Sequence, residues 1–204
     1  MSTPAVLPDA KAWTEWYGTG TSVDRIVSDT EAEKFMSRVA PTNGSRAVDL
    51  GCGSGVWTRR LGWWGMHVVG YDYAVAAIEQ AERQPRVPEV SYELWDVNSE
   101  PIPVDLTPGS VDLVTCRLSL AYMDVNRLLV DVGRWLAPWG VFYALTPVMD
   151  KGDGKNDPYQ SALTFAEFES LGTAWSRRQT WPVGPRYWGI SLSGFTSKGR
   201  SSLY

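Results

Sequence analysis

Two carboxylates and a glycine-rich turn are the residues whose types and spacing best suit ligand chemistry. Asp49 is followed by Gly51, Gly53 and Gly55 at every second position, and Asp72 comes roughly 20 residues later. A turn of this kind brings bare backbone close to a bound molecule. A carboxylate before the first glycine repels phosphate but suits a cation, and the later carboxylate has the spacing that suits ribose hydroxyls. The pattern predicts a nucleotide-type site that prefers a cation to a phosphate.

The elements that must position these residues are a strand, a loop, a helix and a second strand. Residues 45–50 are apolar enough for a buried strand, Val56 opens a helix, and residues 67–72 give the second strand. This is the βαβ unit of nucleotide-binding domains. A dinucleotide loop, G-x-G-x-x-G, needs its third glycine at the position that Val56 occupies. An NAD(P)-binding Rossmann oxidoreductase is therefore the alternative and not the first interpretation.

The segment from Asp49 to Gly55, D-x-G-x-G-x-G, resembles motif I of the class I S-adenosylmethionine-dependent methyltransferases. The resemblance extends over about residues 45–196. It implies an α/β fold, a Rossmann-like three-layer sandwich with a seven-stranded, mostly parallel sheet and an antiparallel C-terminal hairpin. It also implies S-adenosyl-L-methionine as the cofactor and S-adenosyl-L-homocysteine as the product.

The same family places an acid near the end of its third strand, where it accepts a hydrogen bond from the adenine amino group. Asp96 occupies that place after the alternating residues 90–96, and Trp95 and Val97 can flank the adenine ring. Alternatively, Asp96 is a turn residue that caps the loop at residues 98–101. The predicted cofactor-binding residues are Trp16, Tyr17, Asp49, Gly51, Cys52, Gly53, Gly55, Asp72, Tyr73, Trp95, Asp96, Val97, Cys116 and Arg117.

The start of the chain is interpreted as an N-terminal lid or helical segment, residues 1–40, before a methyltransferase core at residues 41–204. The first dozen residues are expected to be disordered, because they contain two prolines and little to bury. Further on, Trp16 and Tyr17 have two interpretations. They close over the cofactor as a lid, or they pack as core aromatics against the sheet.

Helical and alternating patterns predict the remaining elements. Asp124 is a good N-cap for the clearest helix, which runs to Leu136, and Asp29 or Thr30 should cap a helix that runs to Ala40. Further helices are expected at residues 74–84 and 164–171, strands at 111–116 and 141–146, and a hairpin at 174–183 and 187–195.

Composition and charge disfavour several classes of function. The chain has 204 residues, a net charge of −4 and a pI near 5.1, which suit one α/β domain and argue against a nucleic-acid partner. Neither a secretion leader nor a membrane-spanning segment is recognisable, so a cytoplasmic protein is expected. Two cysteines and one histidine predict neither a disulfide framework nor a metal site.

The expected reaction is transfer of a methyl group to an oxygen or nitrogen atom of a small molecule, for example a secondary metabolite. Because the leaving group is already activated, the protein contributes mainly alignment. His67 opens a strand at the far edge of the sheet, so Tyr17, Tyr122 and Asp150 are the candidate bases, by position on the upper loops alone. The absence of an obvious base favours an acceptor that is already nucleophilic.

The acceptor pocket is expected to be apolar or aromatic, because Trp181, Tyr187 and Trp188 fall on the C-terminal hairpin. Residues 117–120 are Arg-Leu-Ser-Leu, where methyltransferases of DNA amines or protein glutamine carry an Asn/Asp-Pro-Pro-aromatic sequence. A macromolecular acceptor is therefore disfavoured, and a monomer or homodimer is expected. A non-catalytic S-adenosylmethionine-binding module is the second alternative.

Overall fold

One seven-stranded sheet forms the centre of the computed structural model, which describes residues 7–19, 26–149 and 157–196. Its strands are β1 (Arg46–Leu50), β2 (His67–Asp72), β3 (Val90–Leu94), β4 (Val111–Arg117), β5 (Leu136–Pro147), β6 (Trp175–Pro182) and β7 (Tyr187–Phe195). Their order is β3-β2-β1-β4-β5-β7-β6. The first five run parallel, and β7 lies antiparallel between β5 and β6. The predicted Rossmann-like fold with an antiparallel C-terminal hairpin is confirmed.

Helices connect the parallel strands and flank the sheet. Asp124 caps α5 through its side chain, as predicted. Thr164 and Glu167 form a reciprocal capping box at the start of α6. The helices are α1 (Ala10–Gly18), α2 (Asp29–Val39), α3 (Val56–Trp63), α4 (Val75–Arg83), α5 (Val125–Trp135) and α6 (Phe165–Ser170), with short 3-10 turns at Leu120–Tyr122 and Pro158–Gln160.

The start of α2 differs from the prediction by one residue. Ser28, and not Asp29 or Thr30, is the N-cap, since its Oγ accepts a hydrogen bond from the Glu31 N–H at 3.2 Å. Serine and aspartate cap helices almost equally well, so three adjacent candidates could not be ranked from the sequence. Asp29 instead lies in the first turn, where a negative charge is favourable.

The expected disorder of the first dozen residues is wrong for residues 10–12, which form the first turn of α1. Asp9 caps this helix by accepting a backbone N–H at 2.8 Å. The helix packs against α4, and the Gln80 amide donates to the Tyr17 carbonyl at 2.6 Å. These tertiary contacts stabilise a helix that local sequence alone would leave marginal. Residues 1–6 lie outside the described part of the chain.

Two apolar clusters cover the two faces of the sheet. Val48 and Phe142 belong to the cluster that includes α5, whereas their neighbours Ala47 and Tyr143 belong to the cluster that includes α2 and α3. Successive strand residues point to opposite faces, so a parallel sheet covered on both sides has near-continuous apolar strands. This arrangement collects the carboxyl ends of β1, β2 and β4 at one edge, where ligands bind in such folds.

Helix α2 contributes to the core of the sheet although it belongs to the predicted N-terminal segment. Phe35 is fully buried, with its ring centroid 4.9 Å from that of Trp57 and 4.8 Å from that of Tyr143. It also stacks on Trp64 at 5.6 Å. The boundary at residue 40 stays a prediction, and α2 is bound to the core by large aromatic contacts.

We expect the change Phe35→Ala to lower the free energy of unfolding by about 3–5 kcal/mol, because it leaves a cavity between three aromatic rings. Met36→Ala is the matched control, since Met36 lies next to it on α2 and is 38% exposed. That control should cost less than about 1 kcal/mol. Urea unfolding of both variants measures the difference, and equal losses would contradict a core role for α2.

Candidate active site

The loop between β1 and α3 has the tight backbone that the glycine pattern predicts. Gly51 and Gly53 have left-handed φ values of +66° and +54°. A Cβ atom added at Gly51 would lie 2.5 Å from the Ser119 Cβ, and one added at Gly53 would lie 2.5 Å from the Tyr17 hydroxyl oxygen. Both positions therefore need glycine for conformation and for space.

Asp72 closes β2 and ties this strand to the glycine loop. Its Oδ2 accepts a hydrogen bond from the Gly53 N–H at 2.9 Å, and its Oδ1 accepts one from the Ala74 N–H at 2.9 Å. Burial raises the pKa of the Asp72 carboxyl, and these backbone hydrogen bonds oppose the rise. The acid that was predicted to hold a ribose thus lies at the tip of β2 beside the loop.

Asp49 is a second buried carboxylate, on β1, with 1% of its surface exposed. The Thr58 hydroxyl donates to its Oδ2 at 2.7 Å, and the Thr115 hydroxyl donates to its Oδ1 at 2.8 Å. Burial raises the pKa of Asp49 to about 6, and the two hydroxyl hydrogen bonds and the charge of Arg117 only partly oppose the rise. Near neutral pH the group is therefore an ionised carboxylate in a poorly solvated place.

Arg117, at the end of β4, is held by a buried ion pair. Its Nε lies 2.6 Å from one Glu31 carboxylate oxygen, and its Nη2 lies 3.0 Å from the other. The guanidinium also lies over the Trp57 ring, 5.9 Å from the centroid. Glu31 thus balances the arginine charge. Among the described residues, neither Asp49 nor Asp72 makes an ion pair.

A single cavity at the carboxyl ends of β1, β2 and β4 brings these groups together. The volume of this cavity is about 150 Å³. Its wall contains most of the residues predicted to bind the cofactor. These are Trp16, Tyr17, Asp49, Gly51, Cys52, Gly53, Asp72, Tyr73, Trp95, Asp96, Val97 and Arg117.

Gly55 and Cys116, which were predicted with this set, do not line the cavity. Gly55 is the N-cap of α3 at φ +76°, and the space beside it is filled by the Tyr92 ring. The Cys116 sulfur is fully buried, 3.1 Å from the Ser119 hydroxyl, and burial raises the pKa of its thiol to about 12. Burial also raises the pKa of Cys52. Neither thiol is a nucleophile at neutral pH.

Asp96 lies in the cavity wall and also stabilises its own loop. Its Oδ1 accepts the Asn98 N–H at 2.8 Å, and its Oδ2 accepts the Ser99 hydroxyl at 2.6 Å. Asp96 therefore caps the turn, as the alternative interpretation predicted, and it also faces the cavity. Trp95 is 6% exposed and donates its indole N–H to the Pro101 carbonyl at 3.0 Å, so its orientation is fixed.

Aromatic side chains of α1 form one wall of the cavity. Trp13 and Trp16 contact each other edge to face at 5.3 Å, and the Trp13 ring lies 5.2 Å from Tyr122 and 4.9 Å from Tyr159. Tyr17 packs against Trp16 at 5.0 Å. Trp16 and Tyr17 both lie in the cavity wall. Their contact with a cofactor stays a prediction.

Several lining residues were not among the predicted ones, for two different reasons. Trp13 lies one turn before Trp16 and Tyr17, so its helical spacing was a usable signal. Tyr159 follows a long loop, and no local pattern relates it to the glycine turn. The lining residues missed are Trp13, Leu50, Ser54, Val56, Trp57, Tyr71, Asn98, Leu118, Ser119, Tyr122, Met123 and Tyr159, of which Tyr122 was predicted only as a candidate base.

The candidate bases are placed differently. Tyr17 and Tyr122 line the cavity, and the Tyr122 hydroxyl oxygen accepts the Ser161 N–H at 3.0 Å. Asp150 falls outside the described residues. His67 pairs with Glu89 at 2.7 Å at the start of β2, opposite the cavity. A general base therefore stays a prediction for Tyr17 and Tyr122.

The described ranges contain neither a metal-binding cluster nor a membrane-spanning helix. No cluster of three or more histidine, cysteine, aspartate or glutamate side chains there could hold a metal ion. None of the helices in those ranges is both long enough and apolar enough to cross a bilayer.

Comparison with known proteins identifies the domain. Residues 48–144 match the family model described as "Methyltransferase domain", a range that contains the glycine loop, Asp72 and Asp96. Residues 48–144 of this chain form a methyltransferase domain, and its fold is the one found in solved S-adenosylmethionine-dependent methyltransferases. The predicted family and cofactor type are confirmed.

Curated relatives match part of this chain. The ubiquinone biosynthesis O-methyltransferase of Methylococcus capsulatus is 29% identical over 114 residues, 55% of this chain and 48% of that protein. The chain spans about half the length of the curated relatives it matches.

Solved structures share the fold of the domain. An S-adenosylmethionine-dependent methyltransferase from Aquifex aeolicus has a TM-score of 0.67 at 15% identity, covering 88% of this chain and 97% of its own. The phosphoethanolamine N-methyltransferase 2 of Haemonchus contortus, in complex with S-adenosyl-L-methionine, has a TM-score of 0.70 at 15% identity, covering 92% of this chain and 58% of its own.

Because Asp49 is buried, we expect the stability of the protein to depend on pH. Its folded pKa of about 6 lies above the ordinary 3.8, so the folded state binds the proton more tightly. The cost of ionisation is absent below pH 3.8, grows as the pH rises, and is complete above about pH 6. We expect Asp49→Asn to stabilise the ligand-free protein at pH 7.5 by on the order of 2–3 kcal/mol, with less gain near pH 5.

Urea unfolding of the native protein and of Asp49→Asn at the two pH values measures this gain. Asparagine keeps the shape of the side chain, and the Thr58 and Thr115 hydroxyls can each donate or accept. A variant that is less stable than the native protein at both pH values would show that the carboxylate stabilises the fold.

Proposed function

We propose that this chain transfers a methyl group from S-adenosyl-L-methionine to an oxygen or nitrogen atom of a small molecule. The observation that carries the proposal is the presence of Asp49 and Asp72, both buried and without ion-pair partners among the described residues, in the wall of one cavity. Buried carboxylates of this kind need a cation or a set of donors to offset lost hydration. One relative is an O-methyltransferase and one protein of the same fold is an N-methyltransferase, which supports either acceptor atom.

The cavity wall fits the proposed cofactor in charge and in shape. When bound, S-adenosylmethionine supplies an electrophilic methyl group on a positively charged sulfur. Asp49 would face this positive charge, Asp72 would hold the ribose, and Asp96 would accept from the adenine amino group. The glycines at 51 and 53 keep the loop free of side chains that would fill the space.

The protein would act mainly by alignment and by exclusion of water. Trp13, Trp16 and Tyr17 on α1 form one wall of the cavity, where they can shield the site from solvent. The Tyr122 hydroxyl lies in the same wall. Because none of the described acid-base groups there has an obvious catalytic arrangement, the proposed acceptor is one that is already nucleophilic.

Two other functions make different predictions about ligands. An NAD(P)-dependent oxidoreductase would bind dinucleotide, whose phosphates Asp49 should repel. A non-catalytic module would bind S-adenosylmethionine without turnover. A cytoplasmic location and a monomeric or homodimeric state stay predictions.

Calorimetry with S-adenosylmethionine, S-adenosylhomocysteine and NAD tests the proposal. We expect one site for each of the first two ligands and no heat of binding with NAD. Release of S-adenosylhomocysteine in the presence of small phenols and amines then separates an enzyme from a binding module. Binding of NAD alone would overturn the proposal.

Affinity for S-adenosylmethionine should depend on the ionisation of Asp49. A cation favours the carboxylate, so affinity should be full above about pH 6 and fall as protons compete below it. Between pH 7.5 and pH 5 we expect about a tenfold loss. Asp49→Asn should bind weakly, with little change over the same range, and a native-like pH dependence in that variant would assign the effect to another group.

Arg117 is proposed to hold the carboxylate of the cofactor's amino-acid part. Replacing Arg117 alone would leave Glu31 buried and unpaired, so the test is the double variant Glu31→Gln with Arg117→Gln. We expect its affinity for S-adenosylhomocysteine to fall about tenfold, the loss of one charged contact. Affinity for methylthioadenosine, which lacks the amino-acid part, should stay within about twofold. Equal losses for both ligands would indicate a disturbed cavity instead.

A further inference from the structure

A second, smaller cavity adjoins the proposed cofactor site. Its volume is about 60 Å³. Leu118, Tyr122 and Tyr159 line both this cavity and the larger one. The remainder of its described wall comes from the ends of β5 and β7 and from the 3-10 turn at Pro158–Gln160. The two cavities are therefore neighbours separated by three side chains.

The two cavities differ in the sign of their charge. The larger one is lined by the acids Asp49, Asp72 and Asp96, and the charge of Arg117 in the same wall is balanced by its ion pair with Glu31. The smaller one has Arg186 as its charged residue among the described lining residues, beside the polar Gln160 and Ser161. Such a contrast suits two ligands of opposite charge bound side by side.

Arg186 is held through its backbone and leaves its charge available. Its carbonyl accepts the Val148 N–H at 2.8 Å, which ties the start of β7 to the end of β5. Its side chain is exposed and makes neither an ion pair nor a hydrogen bond with any residue in the described ranges. An arginine in that position is suited to bind a carboxylate or phosphate group through two parallel hydrogen bonds.

Two further signs of a functional site lie in the wall between the cavities and next to it. Leu118, in that wall, has a left-handed φ of +65°, a conformation that is unfavourable for a residue with a side chain. The buried indole N–H of Trp13, whose ring contacts Tyr122 and Tyr159, has no hydrogen-bond partner in the described structure. An unsatisfied donor at this place would be satisfied by an oxygen atom of a ligand.

We propose that the methyl acceptor is a small anionic molecule that binds in the second cavity, with its carboxylate or phosphate at Arg186 and its nucleophile directed past Tyr122 and Tyr159 toward the larger cavity. This inference rests on the proposed function. The acceptor heteroatom forms a bond to the methyl carbon with its lone pair. The carbon–sulfur bond breaks, its electron pair stays on sulfur, and a neutral thioether leaves. A phenol acceptor loses its proton to solvent.

The test compares anionic and uncharged acceptors of one shape. The probes are 4-hydroxybenzoate and 4-hydroxyphenyl phosphate, which separate the two sources of negative charge, and 4-hydroxybenzamide as the uncharged counterpart. Release of S-adenosylhomocysteine gives kcat and KM for each probe. We expect kcat/KM for one of the anions to exceed that for the amide by about tenfold or more, as expected for one charge-assisted hydrogen bond.

The variant Arg186→Gln should abolish this preference, mainly by raising KM for the anion, and should change kcat/KM for the amide far less than kcat/KM for the anion. Arg177→Gln is the matched control, because Arg177 is an exposed arginine on β6 that does not line either cavity and carries the same charge. It should keep the preference.

A preference that survives in Arg186→Gln, or equal use of acid and amide, would overturn the anionic acceptor, as would failure of both anions to react. Binding of S-adenosylhomocysteine, measured by calorimetry, should be the same in the native protein and both variants. If the native protein did not bind S-adenosylhomocysteine, the proposed function itself would be rejected. Failure of the anionic acceptor and failure of the proposed function therefore give different results.

Discussion

The burial of two carboxylates at the tips of β1 and β2 is the constraint on which the site depends. Asp49 receives two threonine hydroxyls and Asp72 receives two backbone N–H groups, but neither makes an ion pair with a described residue. Hydrogen bonds replace only part of the lost hydration of an ionised carboxylate, so the pKa of each group is raised. Ionisation of Asp49 therefore costs stability in the ligand-free protein, a cost that a cationic ligand would offset.

The rest of the fold brings these acids together and surrounds them. The parallel pairing of β1 with β2 and β4 puts their carboxyl ends at one edge. The Gly53 N–H joins the loop after β1 to Asp72, and the ion pair between Glu31 and Arg117 connects α2 to the end of β4. Aromatic residues of α1 form a further wall. Each connection joins separate segments of the chain, so the site forms only when β1, β2 and β4 have paired and α1 and α2 have packed against them.

Local sequence patterns predicted the helices and strands and their order. Which residues line the cavity depends in part on tertiary contacts that no local pattern shows. The glycine spacing and the position of Asp72 were sufficient for the fold and the cofactor type, because both follow from a single βαβ unit. The same pattern placed Gly55 in the site, although its lack of a side chain serves packing against Tyr92. Cys116 does not line the cavity, since the sequence cannot say which face of β4 a residue occupies. The contributions of Tyr159 and Arg186 could not be predicted, because they arise when the 3-10 turn at Pro158–Gln160 and the start of β7 fold back onto the carboxyl ends of the parallel strands.

The buried Asp49 carboxylate is proposed to bind the cationic group of the cofactor. Carbon-13 NMR of aspartate carboxyl groups measures its ionisation directly, with the Asp49 signal assigned through the Asp49→Asn variant. In the free protein that signal should titrate near pH 6. With sinefungin, an analogue in which an amine replaces the sulfonium group, the midpoint should move to lower pH. A free midpoint at the ordinary 3.8, or a midpoint that does not move on binding, would contradict the account.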